Sequence, residues 1–175
     1  AKFPTDQEYL SNNIRGLALG NYFKWDANNN FKISKENYGW KEVVQPFERT
    51  YRKFSNLDDR YENGAHDLLK FIKFGYGRAT DHGSKDIRSH YIDRKKGIEY
   101  VKKYDHVVSK DLYYWLDYVG ISETDFWDTA ESFRDPDVWR IENNEWYKEN
   151  IWGNYSSYGK VKSKNINFDK YKKDV

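Results

Sequence analysis

The chain has 175 residues, enough for one domain with a substantial core. It contains no cysteine, which excludes disulfides, thiolate catalysis and cysteine-ligated zinc, and its four histidines form no metal-binding pattern. Its 30 basic and 28 acidic residues give a net charge of +2, which argues against nucleic acid as a partner, and no apolar run is long enough to span a membrane.

The N-terminal part of the chain is predicted to be mostly irregular. A helix is expected near residues 6–14, and an apolar and aromatic stretch follows at residues 17–25. Residues 26–30 are rich in Asp and Asn, which is typical of a turn. A short helix is then predicted at residues 31–38, ending at Gly39.

Residues 57–134 have the pattern of a helical bundle. In the first helix, apolar residues recur at three- and four-residue steps, as expected for a helix with one buried face. These residues are Leu57, Tyr61, Ala65, Leu68, Leu69 and Ile72. A second helix is predicted at residues 81–91 and a third at Arg94–Tyr104, with Asp93 as its N-cap.

Two further helices complete the predicted bundle. Ser109 is expected to cap a helix at residues 110–119, and Gly120 is expected to end it in a left-handed conformation. Ser122 begins a sequence that resembles a capping box, and this predicts a helix at residues 123–134.

The C-terminal part is predicted to contain a small β-hairpin near residues 138–150. The predicted fold class is therefore mainly α: a multi-helix bundle of about five or six helices with this hairpin. From residue 153 the sequence is rich in Tyr, Ser, Asn and Lys without periodicity. We expect one domain over residues 1–152 and a basic tail over residues 153–175, either docked or flexible, whose lysines are solvated or meet an acidic partner.

The strongest candidate for a ligand site is the connection GYGRATD between the first two helices of the bundle. Glycines allow a sharp turn, and a helix that begins there directs unpaired N–H groups at the turn, which favours an anion. Arginine can also bind phosphate or carboxylate through two hydrogen bonds. The predicted substrate-binding residues are Lys73, Tyr76, Gly77, Arg78, Thr80, Asp81, Lys85 and Arg88. The alternative is a plain helix–helix connection with solvated side chains.

Two other residue groups have both a functional and a structural interpretation. His82 lies beside Asp81 and could carry a proton, although a surface or core histidine is the commoner role. The seven tryptophans could stack on a sugar or a base, but most are expected to pack inward. No metal site is predicted.

The segment IKFGYGRATDHGSKDIR is followed along the chain by YIDR and VKKYD. These segments resemble the C-terminal portion of N-acetyl sugar amidotransferases, and the first is the most specific of them. The segments LGNYFKWD, YGW, SNLDDRY and DYVGISETDFWDTAESFRDPDVW are similar to that family too. The resemblance covers roughly residues 17–146.

The resemblance implies an enzyme of bacterial surface-glycan biosynthesis, for lipopolysaccharide O-antigen or nonulosonate sugars. Such enzymes convert the acetamido group of a nucleotide-activated amino sugar into an acetamidino group. ATP adenylylates the amide oxygen, and ammonia from a glutaminase and cyclase-like pair displaces AMP. This chain has neither the family's Ser-Gly-Gly-x-Asp-Ser phosphate loop nor its cysteines, so it resembles the C-terminal domain alone. Its expected partners include the N-terminal ATP-pyrophosphatase domain, and ATP is expected only for the complete enzyme.

The chain is then expected to complete the sugar-nucleotide side of the active site, with no cofactor of its own and no activity in isolation. Arg78 and Arg88 would hold anionic groups, Thr80 and Asp81 would hydrogen-bond or cap, and Lys85 would add charge. Two alternatives stay open: a non-catalytic docking module for the ATP domain or the ammonia-supplying pair, and a carbohydrate-binding module.

The sequence lacks a secretory signal, so the expected location is the cytoplasm. It also begins without methionine. This is expected for a piece of a longer gene product, a split subunit or a trimmed chain, and equally for a chain that has lost its initiator residue.

Overall fold

The computed structural model describes residues 3–54 and 62–172, and the chain divides into two compact units, residues 1–41 and 42–175. The described residues form seven α-helices: α1 (Asp6–Ser11), α2 (Ala27–Tyr38), α3 (Glu62–Phe74), α4 (Arg78–Arg88), α5 (Arg94–Tyr104), α6 (Asp111–Val119) and α7 (Glu123–Ser132). An antiparallel sheet follows in the order β1 (Arg140–Glu142), β2 (Glu145–Glu149) and β3 (Tyr155–Lys160). The class is mainly α with a small β element, as predicted.

In the first unit, α2 begins four residues earlier than predicted. Asp26 is its N-cap, and the Asp26 carboxylate accepts hydrogen bonds from the N–H groups of Asn28 at 3.0 Å and Asn29 at 3.3 Å. The asparagines therefore form the first helical turn, and the predicted turn at residues 26–30 is wrong. Gly39 ends the helix with a φ of 67°, as predicted.

The described residues of the first unit include no buried side chain. Many of its large apolar side chains are instead exposed to solvent. Among them are Leu10, Leu19, Tyr22, Phe23, Trp25 and Tyr38. Burial of apolar surface therefore contributes little to the stability of this unit.

The second unit contains two hydrophobic clusters. Helices α3, α6 and α7 form the first cluster, with Ala65, Leu68, Ile72, Leu112, Leu116, Phe126, Trp127 and Ala130 buried. The predicted apolar face of α3 is thus confirmed at Ala65, Leu68 and Ile72, whereas Leu57 and Tyr61 lie outside the described residues. The second cluster joins α3 to the sheet through Phe71, Trp139, Trp146 and Tyr171.

The predicted hairpin is present as β1 and β2. Asn143 and Asn144 connect the strands with φ angles of 50° and 62°, which are the positive values that a two-residue type I′ turn needs. Strand β3 pairs with β2, and the ring of Tyr171 is buried. Most of the segment predicted as a tail is therefore ordered and docked on the second unit. Whether residues 1–152 form the functional domain stays a prediction.

Helices α4 and α5 pack closely against each other. A Cβ atom on Gly83 would lie 3.8 Å from the Cα of Gly97, so two glycines face each other at the crossing. Helix α5 has its predicted bounds, and its N-cap Asp93 accepts a hydrogen bond from the N–H of Lys96 at 2.7 Å. Helix α4, in contrast, begins three residues before the predicted start, with Gly77 as its N-cap.

The start of α6 differs from the prediction. The N-cap position is Lys110, not Ser109, and no side chain caps it. The N–H of Lys110 instead donates to Oε2 of Glu48 at 2.5 Å. Gly120 ends α6 with a φ of 72°, and Ser122 caps α7, both as predicted, although α7 ends at Ser132.

Candidate functional site

The glycine turn between α3 and α4 is held tightly by its surroundings. Gly75 has a φ of 74°, and a Cβ atom there would lie 2.6 Å from Cγ1 of Val138. Only glycine combines this left-handed conformation with so close a neighbour. Gly77, by contrast, has an extended backbone and directs its N–H group into the protein.

The anion at the start of α4 is the carboxylate of Asp105. It accepts hydrogen bonds from the N–H of Gly77 at 2.8 Å, the N–H of Thr80 at 3.1 Å and the hydroxyl of Thr80 at 2.5 Å. Asp105 is only 3% exposed. The N–H groups of Gly77 and Thr80 were expected to face a bound anion, but they donate to a carboxylate of the chain itself. Whether these residues contribute to substrate binding stays a prediction.

Arg78 forms a fork with the buried carboxylate of Asp67. Its Nε lies 3.1 and 3.0 Å from the two carboxylate oxygens, and its Nη2 lies 2.7 Å from Oδ1. These hydrogen bonds raise the pKa of Arg78. No described residue accepts a hydrogen bond from Nη1, so one nitrogen of the half-buried guanidinium can still bind another group.

Not all of the other predicted site residues gather around Arg78. Lys73 and Tyr76 are exposed. Asp81 pairs with Lys70. Lys85 and Arg88 lie in the last turn of α4, about 10 to 15 Å along the helix from its start. The structure therefore brings together Gly77, Arg78 and Thr80, and separates them from the cations that were expected to reinforce them.

Arg49 is a site residue that the sequence gave no reason to select. It is buried, and its guanidinium donates to the backbone carbonyls of Asp67, Asp105 and Val107. Burial lowers the pKa of Arg49 to about 10, while Asp67 and Asp105 oppose the shift. Because its partners lie on two separate segments, α3 and the connection after α5, Arg49 fixes the positions of both acids that hold the start of α4.

The segment after Arg49 supplies a second buried network. Arg52 pairs with Asp86 of α4, and the hydroxyl of Tyr51 donates to the same carboxylate. The Oγ1 of Thr50 lies 2.7 Å from Nδ1 of His82. These contacts attach the loop to α4 and place the ring of His82 beside Arg78.

A small cleft opens beside Arg78 at the start of α6, and we call it the Ser109 cleft. Its volume is about 20 Å³, which is room for one water molecule or one small polar group. Its polar lining includes Glu48, Thr50, Arg78, His82, Ser109 and Asp111. Residues from the loop before α3, from α4 and from the start of α6 thus meet around one opening.

A family model described as "LPS biosynthesis protein WbpG-like, C-terminal domain" matches residues 48–152, which is more than half of the chain. The chain belongs to this family. A comparison with curated proteins gives no match. The matched segment contains both the Asp105 network and all the polar cleft residues named above, so both features lie within the WbpG-like domain, whereas the exposed apolar residues before Lys41 lie outside it.

The WbpG-like domain keeps His82 uncharged. Burial lowers the pKa of His82 to about 3, and the nearby Arg52, Arg78 and Lys85 act in the same direction. Oγ1 of Thr50 lies 2.7 Å from Nδ1 of His82, and either atom of this pair can be the donor. Nε2 forms no hydrogen bond with a described residue, and it carries the ring proton when the Thr50 hydroxyl donates to Nδ1.

Ser109 is another donor of the cleft without a partner among the described residues, as are Nη1 of Arg78 and Nε of Arg49. The residue is 1% exposed, and its Oγ makes no hydrogen bond to any described residue. A buried hydroxyl without a partner costs about 1–3 kcal/mol, so such groups usually meet water or a ligand. Gly64 of α3 makes room for it, because a Cβ atom there would lie 2.1 Å from Oγ.

The cleft is not an electropositive pocket. Its lining carries three carboxylates, Glu48, Asp67 and Asp111, against two guanidinium groups, Arg49 and Arg78. Part of this charge is already paired, since Asp67 holds Arg78 and Glu48 accepts the N–H of Lys110. The arrangement favours an uncharged polar group over a phosphate.

No helix among residues 3–54 and 62–172 has the length and apolar character needed to cross a membrane.

Proposed function

We propose that the chain is the C-terminal domain of an ATP-dependent amidotransferase that converts the N-acetyl group of an activated sugar into an acetamidino group during lipopolysaccharide biosynthesis. In this proposal the domain lies on the sugar side of the active site. An upstream ATP-pyrophosphatase domain would bind ATP, and a glutaminase and cyclase-like pair would supply ammonia. The reaction would take place in the cytoplasm, on a nucleotide-activated amino sugar.

The observation that carries the sugar-side role is the Ser109 cleft. It contains a buried hydroxyl without a partner and an imidazole nitrogen without a partner among the described residues. Membership of a lipopolysaccharide biosynthesis family supports a sugar as the molecule to be recognised. The network around Asp105 has a different part in this proposal, because it holds the wall of the cleft in place rather than contacting the sugar.

The test is a kinetic comparison in the complete enzyme, supplied with ammonia and with the activated sugar as the varied substrate. Ser109→Ala removes the unpartnered hydroxyl and leaves every hydrogen bond of the described residues intact. We expect a higher KM for the sugar and an unchanged KM for ATP. Arg78→Ala is a less clear test, because it leaves the carboxylate of Asp67 buried without its partner.

Ser132→Ala is the matched control. Ser132 is exposed at the end of α7, and its hydroxyl contacts only the carbonyl of Thr129 within the described residues. This variant should leave both KM values unchanged. A Ser109→Ala enzyme with wild-type kinetics for the sugar would remove the cleft from the substrate side.

A second candidate function is a non-catalytic docking module. The exposed apolar residues of the first unit favour it, Phe23 and Trp25 being 70% and 79% exposed. Such residues commonly become buried at interfaces. Co-purification with a separately produced ATP-pyrophosphatase domain tests this function. Phe23→Ser with Trp25→Ser should abolish capture if it is correct, whereas capture that persists in this variant would exclude these residues as the docking surface.

A further inference from the structure

We propose that the Ser109 cleft binds one uncharged amide group, and that Ser109 and His82 donate the hydrogen bonds that hold its carbonyl oxygen. The inference extends the proposed function by naming the part of the ligand that enters the cleft. The inference depends on the proposed function in one respect: that function identifies the ligand as an N-acetyl sugar. The fit between an amide and the cleft follows from the geometry alone.

The volume of the cleft limits the ligand to one group. About 20 Å³ holds a single water molecule or one hydroxyl or carbonyl oxygen, so only the carbonyl oxygen of an amide would enter the cleft and its N–H would lie at the opening. The rest of any ligand would therefore lie outside, over the opening. A water molecule in the same position would be displaced by a group that reproduces its hydrogen bonds.

The cleft contains hydrogen-bond donors that have no acceptor among the described residues. Ser109 Oγ is buried without a partner, and Nε2 of His82 and Nη1 of Arg78 make no hydrogen bond to the described residues. A carbonyl oxygen has two lone pairs and can accept from two such donors at once. In this proposal the Thr50 hydroxyl, 2.7 Å from Nδ1 of His82, donates to that nitrogen and so places the ring proton on Nε2, which makes Thr50 a positioning residue.

The carboxylates in the lining can accept a hydrogen bond from the N–H group of an amide. Glu48 and Asp111 lie at the cleft, and a carboxylate oxygen can accept more than one hydrogen bond. An amide N–H is a donor for such an oxygen, whereas a phosphate or carboxylate ligand would be repelled by it. The combination of donors and acceptors in one small cleft selects an amide over an anion.

The experiment is an NMR titration of the 175-residue chain with three probes: N-acetylglucosamine, glucose and inorganic phosphate. The signals to follow are the backbone amides of Ser109 and Leu112 and the ring nitrogens of His82. We expect N-acetylglucosamine to shift all of them in a saturable way, and glucose, which lacks the acetamido group, to shift them little. An equal response to glucose, a response to phosphate alone, or no response at all would overturn the proposal.

Two variants assign the effect to the named atoms. Ser109→Ala should weaken binding of N-acetylglucosamine by about three- to tenfold, the effect of losing one hydrogen bond. Ser132→Ala should leave it unchanged. Thr50→Val should alter the ring-nitrogen shifts of His82 in the free protein, because Nδ1 loses its donor. Wild-type binding by Ser109→Ala would show that the amide lies elsewhere.

The binding result is separable from the proposed function. If the chain binds the acetamido group but Ser109→Ala leaves the kinetics of the complete enzyme unchanged, the cleft inference stands and its place on the substrate side fails. If the kinetics change but the isolated chain shows no acetamido-dependent shift, Ser109 acts in catalysis without the amide contact, and this inference fails.

Discussion

The N-termini of α4 and α6 lie in the same unit, but they differ in whether their hydrogen-bond donors are satisfied by the protein. At α4, the buried carboxylate of Asp105 accepts hydrogen bonds from two N–H groups and the hydroxyl of Thr80. At α6, Glu48 accepts one N–H group, while the adjacent hydroxyl of Ser109 is buried without a partner among the described residues. At the start of α4 the donors are satisfied by a carboxylate of the protein itself. At the start of α6 the hydroxyl of Ser109 remains as an unsatisfied donor in the wall of the cleft.

This difference teaches that a strong local motif can mark a structural junction. The glycines and the arginine of GYGRATD do bind anions, but the anions are Asp105 and Asp67 from the same chain. The site with unsatisfied groups shares Arg78 with this motif, but Glu48, Thr50 and Ser109 belong to no motif. Unsatisfied buried donors, rather than the density of charge in the sequence, therefore identify the better candidate for ligand binding.

The largest effect is expected for Asp105→Ala, which opens the closed helix start. The change removes the acceptor of three hydrogen bonds and a carboxylate that offsets the buried charge of Arg49. We expect the free energy of unfolding to fall by about 3–5 kcal/mol, the loss typical of a broken buried charge pair. Urea denaturation monitored by circular dichroism measures it. A loss below about 1 kcal/mol would mean that the network does not hold α4.

The sequence predicted those features that depend on neighbouring residues. Asp93 and Ser122 cap the helices that follow them, and Gly120 ends α6, because each acts within a few residues of its own position. The heptad-like apolar face of α3 likewise predicted its buried side. Local capping and periodicity were sufficient for the mainly α class.

The sequence could not predict the features that depend on distant partners. Asp105 lies 28 residues from Gly77, and Glu48 lies 62 residues from Lys110. Ser109 was expected to be a cap from its local sequence, but the distant Glu48 carboxylate takes the N–H of Lys110. Strand β3 was missed for a related reason: its residues YSSYGK lack an apolar alternation, and pairing with β2 stabilises them.

The second-largest loss of stability is expected for Gly64→Ala, which tests the packing around Ser109 at the start of α6. Gly64→Ala would place a Cβ atom 2.1 Å from Ser109 Oγ and 2.6 Å from the Cβ of Asp111. We expect a loss of about 1–3 kcal/mol from overpacking, measured by thermal unfolding. Gly83→Ala is the matched control, because its Cβ would meet only ordinary contacts at 3.8 Å or more. A stability gain in both variants would contradict the packing around Ser109.

A third prediction concerns the pH dependence of stability at His82. Its pKa is about 3 in the folded protein and about 6.5 in the unfolded chain, so between these values the unfolded state binds more protons. Stability should therefore fall as the pH decreases from about 6.5, by up to about 1.4 kcal/mol per pH unit from this group.

His82→Gln should remove that component of the acid sensitivity. Urea denaturation at pH 7 and pH 5 measures it as a smaller stability difference in the variant than in the wild type. His106 also has a lowered pKa because of burial and contributes in the same direction, so part of the acid sensitivity should remain. An identical pH dependence in the variant and the wild type would mean that the pKa of His82 is not lowered in the folded state.

The smallest effect is expected for the other ion pair at the start of α4. Lys70 and Asp81 contact each other, but their side chains are 21% and 28% exposed, in contrast to the 6% exposure of Asp67 in its pair with Arg78. Exposed pairs contribute about 0–1 kcal/mol because water screens both charges. Asp81→Asn should therefore lower the free energy of unfolding by less than about 1 kcal/mol in the same urea experiment. A loss as large as that of Asp105→Ala would show that the closed start of α4 depends on its surface charges, and the contrast between buried and exposed carboxylates at this helix would no longer hold.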